Sequence, residues 1–459
     1  MWRRLLIWVV ALLVLALIVF ILVQLACDQS YPYTWDARYN SEPNGDEEAT
    51  AMAVSGDGSI YVAGFTLAAN GDFLTLKYDS DGELIWEARY DGPAHDHDKA
   101  RAIATDGEGN VFVAGYSQGN GTSKDLALVK FSSDGEELWA VTYDGPVHGE
   151  DSASAVCTDG NGNVYVCGHS VGRGADYIVL KYDGGGNMLW EVRYDGPKGT
   201  GDIAYAMVLD KDGNVYVTGE SSGAGTFTDF ATIKYDTDGN QLWAARYDGP
   251  MSLNDEATDL TVDASGNVYV TGQTSLGGHG ANTTTELAIV SYSAAGDQRW
   301  AVHYNVPEGG RARANAITLD PSGYVYVAGS ATFTVRDYTQ SDAITIKYST
   351  DGDEAWVARY DSPVRMNDGA NDVVVDSAGN VYAAGSSVEI GSYNDYMLLK
   401  YDSEGTLLWF SRYNGPAGLA DVAIDAAIDS DDDVYVTGYS YAVDGDAEHT
   451  DIATLKYTP

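Results

Sequence analysis

Only three cysteines occur in 459 residues, so a disulfide framework is excluded and stability must come from packing. Basic residues are scarce as well: 26 Lys and Arg stand against 68 Asp and Glu, a formal charge of −42. Such a chain repels nucleic acid and acidic polymers, which excludes nucleic acid as a partner and favours cations. No helical hydrophobic period appears beyond residue 27, and no polar tract is long enough to read as a disordered domain. Long apolar runs are missing too, with one exception.

That exception runs without a polar residue from Leu5 to Val23, just after Arg3 and Arg4. At about 1.5 Å per residue it nearly matches a hydrocarbon core of about 30 Å. The two arginines set the N-terminus in the cytoplasm and everything past it outside. "QLAC", ending at Cys27, resembles a bacterial lipobox with Gln24 where the pattern has an aliphatic residue. An uncleaved anchor and a lipidated Cys27 are therefore both open. Either way, residues 1–27 read as a membrane anchor or lipoprotein-type signal, and residues 28–459 as one tethered domain in the periplasm or on the cell surface.

What is abundant is turn and strand material, including 52 glycines and 33 tyrosines. One unit recurs eight times, marked by a "YVAG"-type tetrad that starts at Tyr61, Phe112, Tyr165, Tyr216, Tyr269, Tyr326, Tyr382 and Tyr435. A second marker, Gly-x-x-x-Trp, gives Trp86, Trp139, Trp190, Trp243, Trp300, Trp356 and Trp409. Each unit parses into four strands, a to d; "AYAMVLDKDGNVYVTG" supplies a and b, "DFATIKYDTDGNQLWAARYDGP" supplies c and d. Four strands in about 50 residues make a propeller blade. "DIATLKYTP" stops after a strand c, while "YTWDARYN" is a d strand with no a, b or c before it. The expected fold is all-β: an eight-bladed β-propeller of four-stranded blades, behind one N-terminal membrane-anchor helix. The N-terminal d strand completes the C-terminal blade, and Trp35 acts as the clasp.

"GNVYVTG" followed by "DFATIKYD" resembles the bacterial SBBP-type propeller repeat, across nearly all of residues 35–457. The resemblance implies an exported or surface protein and no established chemistry. "KYDSDGELIW" resembles, more weakly, the Trp-docking repeat of eight-bladed quinone-dependent dehydrogenases. It departs from that pattern in its Asp-to-Gly spacing and in lacking an adjacent cysteine pair.

Within a propeller, the a-to-b and c-to-d turns share one rim, and the b-to-c and d-to-a loops share the other. The first rim is monotonous, and "DKDG" and "DTDG" read there as Asp-capped turns rather than Ca²⁺ loops. The second varies in length and content, which is where binding concentrates. On that rim Glu47, Asp98, Asp151, Asp202, Asp255, Asp368 and Asp421 recur at the start of strand a, with Ala312 the gap. They are the candidate acid ring at a channel mouth, weighed against capping of the adjacent loop. A second set, Asp72, Asp125, Asp176, Asp229, Glu286, Asp342, Asp395 and Asp451, precedes strand c.

His95, His97, His148 and His169 gather on neighbouring loops and form a candidate metal set, weighed against simple solvation. The one cofactor class in view is a divalent cation, Ca²⁺ or Zn²⁺. The lysines of "LKY", such as Lys77, Lys130 and Lys234, are expected in inter-blade ion pairs. Cys157 is expected opposite Val164 with Cys167 on the other face, which disfavours a hairpin disulfide. "GHSVG", Gly168 to Gly172, matches the nucleophile-elbow pattern, but a loop and a strand follow it where an elbow needs a helix. No catalytic residue is assigned. The reading is a tethered binding or scaffold module for a protein, glycan or cation. The alternatives are a quinoprotein-like enzyme and an envelope assembly scaffold.

Overall fold

The short Val-, Ile- and Tyr-rich runs form strands, and the Asp–Gly pairs between them form tight turns. In the computed structural model the described residues are 30–41, 45–67, 70–199, 201–225, 227–277, 284–336, 338–388, 393–444 and 447–459. Residues 1–27, the expected anchor segment with Cys27, lie outside them. Among the described residues there are thirty-two strands and no helix, hence none long and apolar enough to cross a membrane.

The strands group into antiparallel four-stranded meanders covering 47–90, 99–143, 151–194, 202–247, 255–304, 311–360 and 368–413, numbered here as units 1 to 7. Unit 8 takes strands a to c from 421–457 and its fourth from Trp35–Tyr39, with Trp35 opposite Lys456 and Tyr39 opposite Ile452. Units 5 and 6 are linked into one sheet by a single parallel bridge, Thr285 to Arg311. Strands a of successive units pack against each other, the first against the last included, so a is innermost and d outermost.

The core lies between units rather than within them. Phe112 and Leu128 of unit 2, for example, meet Val156 and Leu180 of unit 3. Strands b and c are therefore covered on both faces and read as continuous apolar runs, whereas strand d alternates between exposed and half-buried residues.

The tryptophans tie unit to unit. Trp35 donates its indole N–H to the Ser80 carbonyl at 3.0 Å, Trp86 to Ser133 at 3.0 Å, Trp190 to Thr237 at 3.1 Å and Trp356 to Ser403 at 3.0 Å. Each acceptor lies in the c-to-d turn of the next unit, and the glycine of that turn sits under the indole. A Cβ on Gly82 would lie 2.7 Å from the Trp35 ring, and one on Gly405 2.6 Å from the Trp356 ring. Trp409 has no such glycine beneath it; the Tyr31 ring stacks on it instead, with centroids 4.3 Å apart.

Two sequence expectations need correction. The lysines pair within their own unit, Lys130 with Asp106 at 3.7 Å and Lys234 with Asp210 at 3.7 Å. Their link to the next unit is a carbonyl, as with Lys77 and Ser133 at 3.0 Å. The reason is reach: the a-to-b turn carboxylate of the same unit lies beside the lysine. Cys157 pairs with Tyr165 rather than Val164, because the a-to-b turn leaves Thr158 opposite Val164, and this even offset puts Cys167 on the same face as Cys157 rather than the other. Both described cysteines are free, and Cys167 packs fully buried between units 3 and 4.

Candidate functional site

On the uniform rim the turns consume their own carboxylates. Asp210 Oδ1 accepts the backbone N–H groups of Asp212 and Asn214 at 3.0 and 2.9 Å, and Oδ2 accepts Asn214 Nδ2 and the Tyr216 hydroxyl at 2.7 and 3.1 Å. Burial alone would raise this carboxyl, but those bonds bring it below the usual range. The "DKDG" turn is therefore capping geometry.

The seven acids at the start of strand a are all buried behind the channel mouth. Asp98, Asp151, Asp202, Asp255 and Asp421 each accept the backbone N–H of the glycine six residues earlier, at 2.5, 2.7, 2.9, 2.6 and 2.8 Å. Asp368 accepts Ser362 N–H at 2.7 Å, and Glu47 accepts the Ser41 hydroxyl. Each carboxyl thus folds the d-to-a loop over the start of its strand. Burial pushes Asp255 up to about 7 despite these bonds.

Several acids before strand c find a partner that the sequence pattern did contain: the arginine three residues after the docking tryptophan, present in six of eight units. Arg193 reaches Asp176 at 2.9 Å, Arg246 reaches Asp229 at 2.7 Å, Arg359 reaches Asp342 at 2.6 Å and Arg38 reaches Asp451 at 2.5 Å. Unit 5 substitutes both partners together, His303 meeting Glu286 at 2.8 Å. Arg193 also donates to the Ser170 hydroxyl. Ser170 is thus a buried strand residue committed to a structural network.

The four histidines do not converge. His95 pairs with Asp91 at 2.7 Å and His148 with Asp144 at 2.5 Å, each within its own loop, while His97 is exposed beside Asp96. His169 is half-buried, and burial lowers its pKa. Among the described residues no group of potential metal ligands contains a histidine. The groups that do form are all aspartates, and each combines the acid before strand c, the aspartate ending strand d and the acid starting the next strand a. They are Asp72–Asp91–Asp98, Asp125–Asp144–Asp151, Asp176–Asp195–Asp202 and Asp229–Asp248–Asp255.

The channel carries a different set of acids, missed in the sequence. Strand a has a β-bulge in every unit, and the next residue is Ala51, Ala102, Ala155, Ala206 or Ala316 in five units but Asp259, Asp372 or Asp425 in three. Each aspartate reaches an N–H of another unit's strand a: Asp259 to Ile317 at 2.9 Å, Asp372 to Ala426 at 2.9 Å and Asp425 to Met52 at 2.7 Å. Burial pushes Asp259 up to about 7. It raises Asp372 and Asp425 as well, and the neighbouring Asp372 carboxylate raises Asp425 further. An alanine-to-aspartate difference in three of eight units was the available signal. The mouth itself is mixed in charge, with a cavity of about 370 Å³ lined by Glu48, Thr50, Lys99, Arg101, Tyr205 and Tyr439.

The variable rim exposes large apolar side chains. Phe227 and Tyr393, in b-to-c loops, and Tyr338, at the tip of a b-to-c hairpin, are 58, 62 and 79% exposed, and Val147, Met251 and Met366 of the d-to-a loops are exposed beside that rim.

A ring-type all-β repeat whose tryptophans dock on the next unit's turn, with a conserved-length turn rim and an irregular loop rim, defines a β-propeller of the Trp-docked class. The chain belongs to the PQQ_2 family, described as outer membrane protein assembly factor BamB, whose profile matches residues 34–269. It is 23% identical over 354 residues to an uncharacterized WD repeat-containing protein, L264, of Acanthamoeba polyphaga mimivirus, covering 74% of this chain and 20% of that protein. It is 30% identical over 128 residues to the regulatory protein FlaEY of Caulobacter vibrioides, covering 25% and 13% respectively. The chain thus spans a fifth or less of the length of these curated relatives. Among solved structures, polysaccharide lyase Uly1 aligns over 95% of both chains at 12% identity and a TM-score of 0.47. The periplasmic gluconolactonase PpgL of Pseudomonas aeruginosa aligns over 70% of this chain and 86% of its own at 14% identity and a TM-score of 0.45.

Proposed function

We infer that this chain is an extracytoplasmic, closed eight-bladed propeller that serves as a binding or scaffold module for a protein or glycan, tethered to the membrane through residues 1–27. The observation that carries the reading is the exposed aromatic set on one rim, Phe227, Tyr338 and Tyr393, above a core that repeats with little change. Large rings on loops held by a rigid frame supply contact area at low entropic cost. The extracytoplasmic placement is supported by the family's outer-membrane assembly description and by Arg3 and Arg4 ahead of the apolar run. The same description favours an envelope assembly scaffold as the form of that role. A closer kinship to the SBBP-type repeat rests on "GNVYVTG" and its copies. The quinone-dependent alternative is weaker, since Cys157 and Cys167 are separate, free and packed between blades.

Crosslinking of the full-length protein in its native membrane tests the reading. A specific adduct is expected with the wild type and lost in Phe227→Ser/Tyr338→Ser/Tyr393→Ser. An adduct that persists unchanged in the triple variant removes the rim from the function.

A further inference from the structure

Strand c of seven units begins with an acid that faces an Arg or His at the same place on strand d: Arg38, Arg89, Arg193, Arg246, His303, Arg359 or Arg412. Unit 2 breaks the rule, with Thr142 in that position. Its acid, Asp125, is 7% exposed and receives one hydrogen bond, from the Thr122 hydroxyl at 3.1 Å. Asp125 is also the centre of one of the aspartate triads. Its carboxylate, that of Asp144 and that of Asp151 each offer an oxygen, and the three oxygens lie within 4.8 Å of one another. Asp151 is fully buried. Asp125 and Asp151 each keep one buried oxygen, Oδ1, with no hydrogen-bond partner.

The sibling triads resolve the same crowding differently. Arg193 holds Asp176 at 2.9 Å and Arg246 holds Asp229 at 2.7 Å. In the first triad Asp72 is only half-buried, and both Asp98 oxygens are bonded, to Gly92 N–H at 2.5 Å and Gln118 N–H at 3.0 Å. Only in the second triad do an absent guanidinium, two orphaned buried oxygens and three converging carboxylates coincide. A buried carboxylate left without a partner is costly, and a cation is what removes that cost. His148 contributes at most one charge, on Asp144 at the exposed side.

We propose that Asp125, Asp144 and Asp151 bind a divalent cation, Ca²⁺, in the place that a guanidinium serves in neighbouring blades. The donors are hard carboxylate oxygens, which exclude soft-metal chemistry. Ca²⁺–oxygen distances of about 2.3–2.6 Å span donors separated by up to about 5 Å, whereas the shorter bonds of Mg²⁺ demand a tighter octahedron. Asp144 at the surface leaves the outer side of the ion open to water.

The test is calorimetric titration of Ca²⁺ into the chelator-treated full-length protein, beside Thr142→Arg and Asp125→Asn, with melting temperature followed in parallel. Thr142→Arg restores the guanidinium of the sibling blades, and Asp125→Asn keeps the shape and removes the charge. The expected result is one saturable site in the wild type, a Ca²⁺-dependent rise in melting temperature, and an affinity at least tenfold weaker in each variant that folds. No saturable binding up to about 10 mM Ca²⁺, or wild-type affinity in either variant, overturns the assignment.

Discussion

Burial holds the Asp255 and Asp259 carboxyls at about 7, against 3.8 for an ordinary aspartate. Between those values the folded protein binds protons that the unfolded chain does not, so folding stability falls as pH rises. The contribution is fully present below about pH 4 and is lost as pH rises through about 7. For one such group, acidifying from about pH 8 to about pH 5.5 adds about 2 kcal/mol, and for the two together about 4 kcal/mol. The turn aspartates work in the opposite sense. Asp183, Asp236 and Asp402 are held low by hydrogen bonds from Asn187, Asn240 and Thr406, so their contribution is lost only below about pH 4, outside this window. Asp259→Asn isolates the channel group: its amide oxygen still accepts the Ile317 N–H, but the side chain cannot ionise. Urea unfolding at the two pH values, read by tryptophan fluorescence, is expected to show the acid-side gain in the wild type and a gain smaller by about 2 kcal/mol in the variant. Comparing the two also separates the site from relief of general repulsion in a chain of formal charge −42. Equal or greater wild-type stability at pH 8, or an undiminished gain in Asp259→Asn, refutes the reasoning.

Three further outcomes are expected from the packing. Gly239→Ala puts a Cβ 3.0 Å from the Trp190 ring on a backbone with φ of 82°, and it should cost about 1–3 kcal/mol of stability by urea unfolding, while Gly107→Ala, with open space around it, is neutral or better. Arg193→Ala strips a partly buried partner from Asp176, Tyr143 and Ser170 and should cost about 1–3 kcal/mol by the same measurement. Trp35→Ala removes the indole bond to Ser80 and the cover over Gly82; loosening should localise to the edge of unit 8 and appear as faster amide exchange in Ala447–Tyr457.

Much of the architecture was legible because repetition amplifies weak signals. A single "YVAG" says little, but eight copies in phase with Gly-x-x-x-Trp set the strand count, the turn rim and the role of Trp35. The loop-capping reading of Asp98 and its equivalents was also within reach, since five of the seven acids stand six residues after a glycine of their loop, and Glu47 and Asp368 six after a serine. The strand d arginines are nearly as periodic, at six of eight units, and they set the environment of acids such as Asp176, Asp229, Asp342 and Asp451. Lys130 and Lys234 were assigned to the wrong unit, because the pattern names a partner type but not which carboxylate lies nearest.

Order along the chain therefore determined the all-β fold class, the four-stranded unit and the turn chemistry, all of which depend on local pattern and its period. Depth and direction were decided only in three dimensions. The seven ring acids look like a channel lining in one dimension, yet their carboxyls turn back into the loops because backbone N–H groups there need acceptors. Asp259, Asp372 and Asp425 look like ordinary strand residues, yet a bulge brings each to another unit's backbone deep in the ring. Thr142 reads as a trivial substitution until the fold sets it beside Asp125, where no guanidinium meets a buried carboxylate that the sibling triads pair with arginine.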